Sequence, residues 1–249
     1  MESAMRLALA QLGRGFVDAV FPPECANCRG LVETEGQFRH LCMRCAAQLE
    51  FVEPPFCEVC GHPFYGIVLG ERTCPHCEGL RPEFGAGRTT VLFKGPARAL
   101  VIELKYHRGL YVLRDLEGIF RASPPVLNHV RGGILVPVPL HPRKQRERGF
   151  NQTALLAEAL AHAAGGGTGV AHLLRRVTDT PSQTAFDRRT RLDNLKNAFA
   201  LAAGASITPA QHYILIDDVF TTGSTLNSCA HALRREGCLN LDVVTFGHG

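Results

Sequence analysis

The stretch from Tyr213 to Asn227 constrains the fold more than any other part of this sequence. It begins with four apolar residues, Tyr213 to Ile216, which have the length and side-chain branching of a buried parallel strand. The segment from Asn227 to Glu236 reads as a helix, and Gly237 follows it as a stop signal. A strand, a polar loop and a helix in this order predict an α/β unit with a ligand site in the loop.

The polar loop of this unit has the composition of an anion site. Its residues supply backbone N–H groups and four hydroxyls at the predicted helix N-terminus: Thr221, Thr222, Gly223, Ser224 and Thr225. The unpaired donors and the positive end of the helix dipole favour a phosphate there, and Gly223 lets the backbone approach it. The P-loop sequence G-x-x-x-x-G-K-[ST] does not occur in the chain.

Two acids, Asp217 and Asp218, stand between the strand and the loop. Carboxylates facing a phosphate would repel it, but an ionised carboxylate is a pure acceptor and suits a vicinal diol. The pair therefore predicts contacts to the 2′- and 3′-hydroxyls of a ribose whose 5′-phosphate occupies the loop. The alternative, a buried strand with a Thr- and Ser-rich helix cap, leaves the paired acids unexplained.

This stretch resembles the signature of type I phosphoribosyltransferases: four hydrophobic residues, Asp-Asp, two further residues, then Thr-Thr-Gly-Ser. The resemblance implies an α/β fold built on a parallel sheet and a site for phosphoribosyl pyrophosphate. It also implies Mg²⁺, which would bridge the pyrophosphate and ribose oxygens.

Eight of the ten cysteines form four Cys-x-x-Cys pairs, and the first two pairs recur 32 residues later in the chain. This spacing predicts one duplicated unit with four thiolates on two tight turns. Four thiolates complete a tetrahedral zinc shell, which is typical of a structural site. The predicted ligands are Cys25, Cys28, Cys42 and Cys45 in the first unit and Cys57, Cys60, Cys74 and Cys77 in the second; Cys229 and Cys238 are expected to stay free.

A disulfide framework and a single shared or interleaved zinc site are the alternatives for these cysteines. His62 and His76 lie near the pairs, but four cysteines per unit make both histidines expected surface residues. Acidic residues outnumber basic ones around the pairs, so the local net charge is negative, whereas a surface that binds a nucleic-acid backbone is positive. The cysteine units are therefore predicted to be structural zinc sites that stabilise a segment too small to fold alone, and not nucleic-acid-binding modules.

A second anion site is predicted after the strand Ile134 to Pro139, since ligands bind at the carboxyl ends of parallel strands. The following segment carries Arg143, Lys144, Arg146 and Arg148, ahead of a helix from Thr153 to Ala164. Arg148 is the strongest candidate because it directly precedes Gly149, where the chain can approach a ligand. The alternative is a solvated basic loop.

A long polar insert from Thr180 to Asn197 separates two predicted strands and suggests a flap. Arg188 or Arg191 of this insert is predicted to help Arg148 neutralise a pyrophosphate.

The chain has 249 residues and is 45% hydrophobic, enough for a substantial core, and its net charge of +4 is too small to indicate nucleic acid. Apolar residues at helical spacing predict an amphipathic helix within residues 1–22 that docks on the protein, with attachment to a membrane surface as the alternative. No stretch approaches the ~20 apolar residues of a membrane span, so a cytoplasmic location is expected.

The order of the motifs resembles the ComF family of competence-associated, phosphoribosyltransferase-like proteins. The residues that carry this resemblance are the cysteine pairs, Leu104-Lys105-Tyr106, Arg148 to Gln152, Thr180 to Gln183, Arg191 to Asn194 and Asp217 to Thr225. Together with the patterns above, this resemblance, which runs from about Phe21 to the C-terminus, divides the chain into an amphipathic helix (1–22), a double zinc ribbon (23–80) and a phosphoribosyltransferase-like domain (81–249) with its core in 134–249. It also implies a role in the uptake of single-stranded DNA.

Two functions follow from these patterns. The first is an enzyme that displaces pyrophosphate from C1′ of phosphoribosyl pyrophosphate, with an acceptor that the sequence leaves open. The second is a non-catalytic sensor of phosphoribosyl pyrophosphate or an adaptor that handles single-stranded DNA. Competence proteins are further expected partners.

Overall fold

The structure, a computed structural model, describes residues 22–66, 73–177 and 198–249. Its centre is a parallel sheet of five strands in the order β1-β7-β6-β2-β3. These strands are β1 Gly87–Leu92, β2 Ile134–Pro137, β3 Gly169–Val170, β6 His212–Phe220 and β7 Asn240–His248. A separate antiparallel pair consists of β4 Leu174–Arg176 and β5 Phe199–Leu201.

The helices of the described ranges are α1 Met43–Ala46, α2 Gly95–Tyr106, α3 Leu113–Arg121, α4 Pro124–Val130, α5 Pro142–Arg148, α6 Gln152–Ala164 and α7 Ser224–Arg235, with 3₁₀ turns at Pro75–Cys77 and Leu110–Val112. Proline occupies the first turn of α2, α4 and α5, where its fixed φ and missing N–H are tolerated. Asn151 caps α6, because its side chain accepts a hydrogen bond from the backbone N–H of Thr153.

The sheet is covered on both faces, which explains the continuous apolar run in β6. Ile214 and Ile216 belong to one core with the apolar side of α6, whereas Tyr213 and Leu215 belong to a second core with α7. Alternate residues of the strand therefore serve opposite cores.

The chain leaves β2 and β6 in opposite directions. Helix α6 leads from β2 toward β3 at one edge of the sheet, whereas α7 leads from β6 to β7 on the other side. The two strands are neighbours, with Pro137 paired to Ile216 near their carboxyl ends. Diverging connections of this kind open a crevice at the ends of the two strands, the usual ligand position in such sheets.

The predicted fold class is confirmed: the described chain has a parallel α/β sheet and N-terminal cysteine clusters of the zinc-ribbon kind. One local prediction was wrong. Strand β6 continues through both acids to Phe220, because β7 pairs with it as far as His248. The segment after β2, for which a solvated basic loop was the alternative to an anion site, carries its basic residues on helix α5, which Pro142 starts.

Two predicted features fall on residues that the structure does not describe: the amphipathic helix within 1–22, of which only Pro22 is described, and the polar insert with Arg188 and Arg191. Across 22–66, 73–177 and 198–249, no helix combines the length and the apolar character needed to cross a membrane.

Candidate functional site

Asp218 is held by two side chains from elements that cover one face of the sheet. The Nζ of Lys105, in α2, lies 2.6 Å from Oδ2 of Asp218. The Nε2 of Gln152, at the start of α6, donates to the same oxygen at 3.1 Å. The side chains of Lys105 and Asp218 are only 17% and 10% exposed, so this ion pair is largely shielded from water.

Arg148 joins this network through Gln152. Its Nη1 donates to Oε1 of Gln152 at 2.6 Å, and its guanidinium carbon lies 5.2 Å from the centre of the Tyr106 ring. Gly149 makes the connection, since its φ of 85° ends α5 in the left-handed region and turns the chain into α6. A polar chain therefore runs from the end of α5 to Asp218 at the end of β6.

Asp217 has different surroundings from its neighbour. Its Oδ1 accepts a hydrogen bond from the backbone N–H of Asp218 at 2.8 Å. Burial, followed by the charge of Asp218, raises the pKa of Asp217 to about 7, although Lys105 and Arg176 act in the opposite direction. The two acids share one strand end but are electrostatically distinct, and Asp217 changes its charge near neutral pH.

The raised pKa of Asp217 predicts a pH-dependent stability. Between pH ~4 and ~7 the folded state holds a proton that the unfolded state has lost, so the stability falls as the pH rises. We expect Asp217→Asn to remove this loss. The difference in Tm, variant minus parent, should be larger at pH 8 than at pH 6; equal differences at both pH values would contradict the raised pKa.

The loop before α7 places its polar groups at a helix N-terminus. Gly223 is the N-cap of this helix with a φ of 69°, and Oγ1 of Thr222 lies 2.8 Å from Oγ of Ser224. A Cβ on Gly223 would lie 2.7 Å from the ring of Phe220 and 3.0 Å from Leu80. Both the conformation and the space require glycine here. Of the predicted loop residues, Thr221, Thr222 and Gly223 form the turn that leads from β6 into α7, and Ser224 and Thr225 are the first two residues of the helix.

The segment after the second cysteine group is fixed on α7. Asn227 accepts a hydrogen bond from the backbone N–H of Glu83 at 2.7 Å and donates to the carbonyl of Arg81 at 3.1 Å. Nε of Arg234 donates to the carbonyl of Glu83 at 2.8 Å. These bonds, with Leu80 beside Gly223, hold this segment against the helix that follows the loop.

The cysteines form two separate groups of four. In each group the sulfur atoms all lie within 4.8 Å of one another: Cys25, Cys28, Cys42 and Cys45, and Cys57, Cys60, Cys74 and Cys77. Zn–S bonds of ~2.3 Å put sulfurs about 3.8 Å apart in a tetrahedron, and Cys28 and Cys42 lie 3.7 Å apart. The two sites support about two structural zinc ions. This geometry excludes the shared and interleaved arrangements, and all ten cysteines are free of disulfides.

The first cysteine group is fastened to α2 and α3. Asp115 accepts hydrogen bonds from the backbone N–H groups of Arg39 and His40 at 2.9 and 2.6 Å. Glu103, only 3% exposed, pairs with Arg29 and accepts from the hydroxyl of Tyr111 at 2.9 Å. Burial raises the pKa of Glu103, but hydrogen bonds from Tyr111, Arg29 and His107 outweigh it and lower the pKa.

The expectation that His62 and His76 are surface residues was wrong. Both are half-buried, their ring centroids lie 4.7 Å apart, and both contact the ring of His248. The second cysteine unit packs against the carboxyl end of β7, and this contact covers both histidines.

The same N-terminal region matches a known domain, because residues 16–78 match the family model of the double zinc ribbon domain. Over 88% of its length the chain is 28% identical to Competence protein F of Haemophilus influenzae and covers 94% of that protein. Over 82% of its length it is 30% identical to the DNA utilization protein YhgH of Salmonella typhi, again covering 94% of that protein. The chain belongs to the ComF family.

More distant members and neighbours extend this comparison. Competence protein ComFC of Bacillus subtilis is 23% identical to the chain over 79% of each sequence. Among solved structures, a hypoxanthine phosphoribosyltransferase from Staphylococcus aureus aligns with 54% of the chain and 62% of its own length, at 13% identity and a TM-score of 0.32.

The structure brings most of the predicted site residues of this ComF-family chain to one end of the sheet. Asp217 and Asp218 lie near the carboxyl end of β6, with only Val219 and Phe220 before the Thr221–Thr225 segment, and Arg148 is joined to Asp218 through Gln152. Sequence analysis missed Lys105 and Gln152 as site residues. Both stand in segments that carry the ComF resemblance, and that was the signal that could have identified them.

Proposed function

We propose that this chain binds phosphoribosyl pyrophosphate at the carboxyl ends of β2 and β6 and transfers its phosphoribosyl group to an acceptor, with release of pyrophosphate. The observation that carries the proposal is the position of Asp217 and Asp218 in the carboxyl-terminal half of β6, two residues before a hydroxyl-rich segment at the N-terminus of α7 and at the crevice of a parallel sheet.

Each part of the ligand has a matching group. The 5′-phosphate occupies the loop made by Thr221, Thr222, Gly223, Ser224 and Thr225, where backbone donors and the dipole of α7 favour an anion. Asp217 and Asp218 accept the ribose hydroxyls. Arg148 neutralises the pyrophosphate, with help from Arg188 or Arg191.

The reaction breaks the bond from C1′ to the pyrophosphate oxygen and forms a bond from C1′ to the acceptor atom. Positioning and charge neutralisation suffice for its oxocarbenium-like transition state, so no protein nucleophile is required. Mg²⁺ bound with the ligand supplies further positive charge to the pyrophosphate and ribose oxygens. Lys105 adds a cation close to the acids, because its ammonium lies 2.6 Å from Asp218.

The test of transfer is pyrophosphate release. The purified protein is incubated with phosphoribosyl pyrophosphate, Mg²⁺ and a panel of nucleobases, and the released pyrophosphate is measured against a reaction without base. Release that depends on one base supports transfer and identifies the acceptor class. Tight binding of phosphoribosyl pyrophosphate without release from any base would favour a sensor.

Arg148→Ala is expected to weaken the binding of phosphoribosyl pyrophosphate much more than that of ribose 5-phosphate, because only the first ligand carries the pyrophosphate. Calorimetry with both ligands measures the two losses. Arg146→Ala is the matched control, since it removes the same charge from an exposed position of the same helix. Equal losses for both ligands in Arg148→Ala would place this arginine elsewhere.

A second candidate function is an adaptor that handles single-stranded DNA in the cytoplasm, together with competence proteins. The observation that favours it is the guanidinium of Arg148 over the ring of Tyr106, a side chain that is 67% exposed. The neighbouring Arg143, Lys144 and Arg146 in α5 are also exposed. An exposed aromatic ring among cations fits a stacked base and its phosphate, and the relatives are named for competence and DNA utilization.

A further inference from the structure

Three histidines converge beside the second cysteine group, and neither the zinc sites nor the phosphoribosyl site uses them. They are His62, after the third Cys-x-x-Cys pair, His76, in the 3₁₀ turn between Cys74 and Cys77, and His248, the last residue of β7. Their ring centroids lie 4.7 to 4.8 Å apart in all three pairs. One nitrogen from each ring lies within 4.8 Å of the others. Segments distant in the sequence thus place three potential metal ligands in one cluster.

One nitrogen of this cluster lacks a partner. Nδ1 of His62 is buried and has no hydrogen bond within the described parts of the chain. A buried polar atom without a hydrogen-bond partner lowers the stability of a folded protein, so such atoms in native proteins call for an explanation. A metal ion bound at the cluster would satisfy this nitrogen.

His248 is held in this cluster by the fold. It is 3% exposed, its Nδ1 lies 3.1 Å from the carbonyl oxygen of Gly249, and its Nε2 lies 3.3 Å from Sγ of Cys60. Strand β7 therefore fixes the third imidazole next to the second cysteine group, where it meets the rings of His62 and His76.

We propose that His62, His76 and His248 bind a third metal ion, a divalent transition metal, next to the zinc of the second cysteine group. Imidazole nitrogens suit zinc, copper, nickel and cobalt, whereas magnesium and calcium require oxygen ligands. Three imidazoles leave a fourth position of a tetrahedral ion for water or another ligand, in contrast to the closed shell of a Cys₄ site.

The position of the cluster connects this ion to the phosphate loop. The ring of Phe220 stacks on His248 at 5.3 Å between centroids, and the carbonyl of Phe220 accepts a hydrogen bond from Gly249 at 3.1 Å. Phe220 is followed by Thr221, the first residue of the loop, and its ring fills the space beside Gly223. A metal ion bound to His248 would therefore restrict the motion of Phe220, whose ring packs between His248 and Gly223 of the loop.

Counting metal ions tests the proposal. Protein without a histidine tag is dialysed against excess zinc, freed of loosely held ions by gel filtration and analysed by mass spectrometry for metal per chain. We expect three zinc ions in the parent protein and two in the double variant His62→Gln, His76→Gln. His172→Gln, which removes an exposed histidine elsewhere, should keep three. Two ions in the parent, or three in the double variant, would overturn the proposal.

A cobalt titration on the unaltered protein guards against misfolding of the variants. Protein loaded with two zinc ions is titrated with Co²⁺, and zinc released into the filtrate is measured in the same sample. The expected result is one Co²⁺ bound per chain with no zinc released, and competition by one added equivalent of Zn²⁺. Failure to bind cobalt, or binding matched by release of zinc from the cysteines, would refute a third site.

Discussion

Removal of zinc is expected to unfold the cysteine units while the parallel sheet stays folded. In their described residues, 23–66 and 73–80, these units contain little regular structure beyond the four-residue α1 and a three-residue 3₁₀ turn, so their folding is expected to depend on the metal. Structural zinc contributes on the order of 10 kcal/mol in small zinc fingers. Hydrogen exchange followed by mass spectrometry, with and without a chelator, should show faster exchange in residues 23–80 than in β2, β6 and β7.

A pair of cysteine substitutions sharpens this test. Cys25→Ser should lose one zinc ion relative to the parent protein, because it breaks the first group of four. Cys238→Ser is the matched control: its sulfur is just as buried but lies outside both groups, so the zinc content should not change. If exchange in 23–80 were the same with and without the chelator, zinc would not be what folds these units.

The double substitution of Asp217 and Asp218 by Asn should lower the affinity for phosphoribosyl pyrophosphate at least about tenfold. Asparagine keeps the size of the side chain and removes the charge, and hydrogen bonds to charged groups are worth roughly 1.5–3 kcal/mol each. Calorimetry measures the loss. The loop at the N-terminus of α7 is unchanged, so the variant should still bind free phosphate.

Folding has to be controlled, since Asp218 is also the partner of Lys105. Removing one member of a shielded ion pair leaves the other charge uncompensated and lowers stability, so a melting curve must accompany each titration. Asp242→Asn is a suitable control because this acid lies near the opposite end of the sheet, where it contacts His212. Unchanged affinity in a folded double variant would show that the two acids do not bind the ribose.

The parts of the molecule that sequence analysis predicted correctly depend on local patterns. The order of strand, loop and helix around Asp217 follows from an apolar run and a helix stop, and the two cysteine groups follow from regular spacing. The helix after Asn151 was predicted within one residue, because its cap and its apolar positions are local.

The missed features depend on contacts between distant segments. Lys105 meets Asp218 only because α2 packs on the same face of the sheet as α6. Strand β6 extends beyond its apolar run because β7 supplies pairing partners for the following residues. Tertiary contacts therefore set the length of this strand, and the low β-propensity of the two aspartates does not end it. His248 is brought to His62 and His76 in the same way, since the end of β7 lies against the second cysteine unit.

The short segment from Leu80 to Glu83 connects the second zinc unit to α7 and to Gly223 in the proposed phosphate loop. It begins three residues after Cys77 and is hydrogen-bonded to Asn227 and Arg234, while Leu80 closes the space next to Gly223. Loss of the metal is therefore expected to free the start of α7 while the sheet stays folded. If the loop binds a phosphate as proposed, the supply of zinc would then control the occupancy of a site that contains none of the zinc ligands.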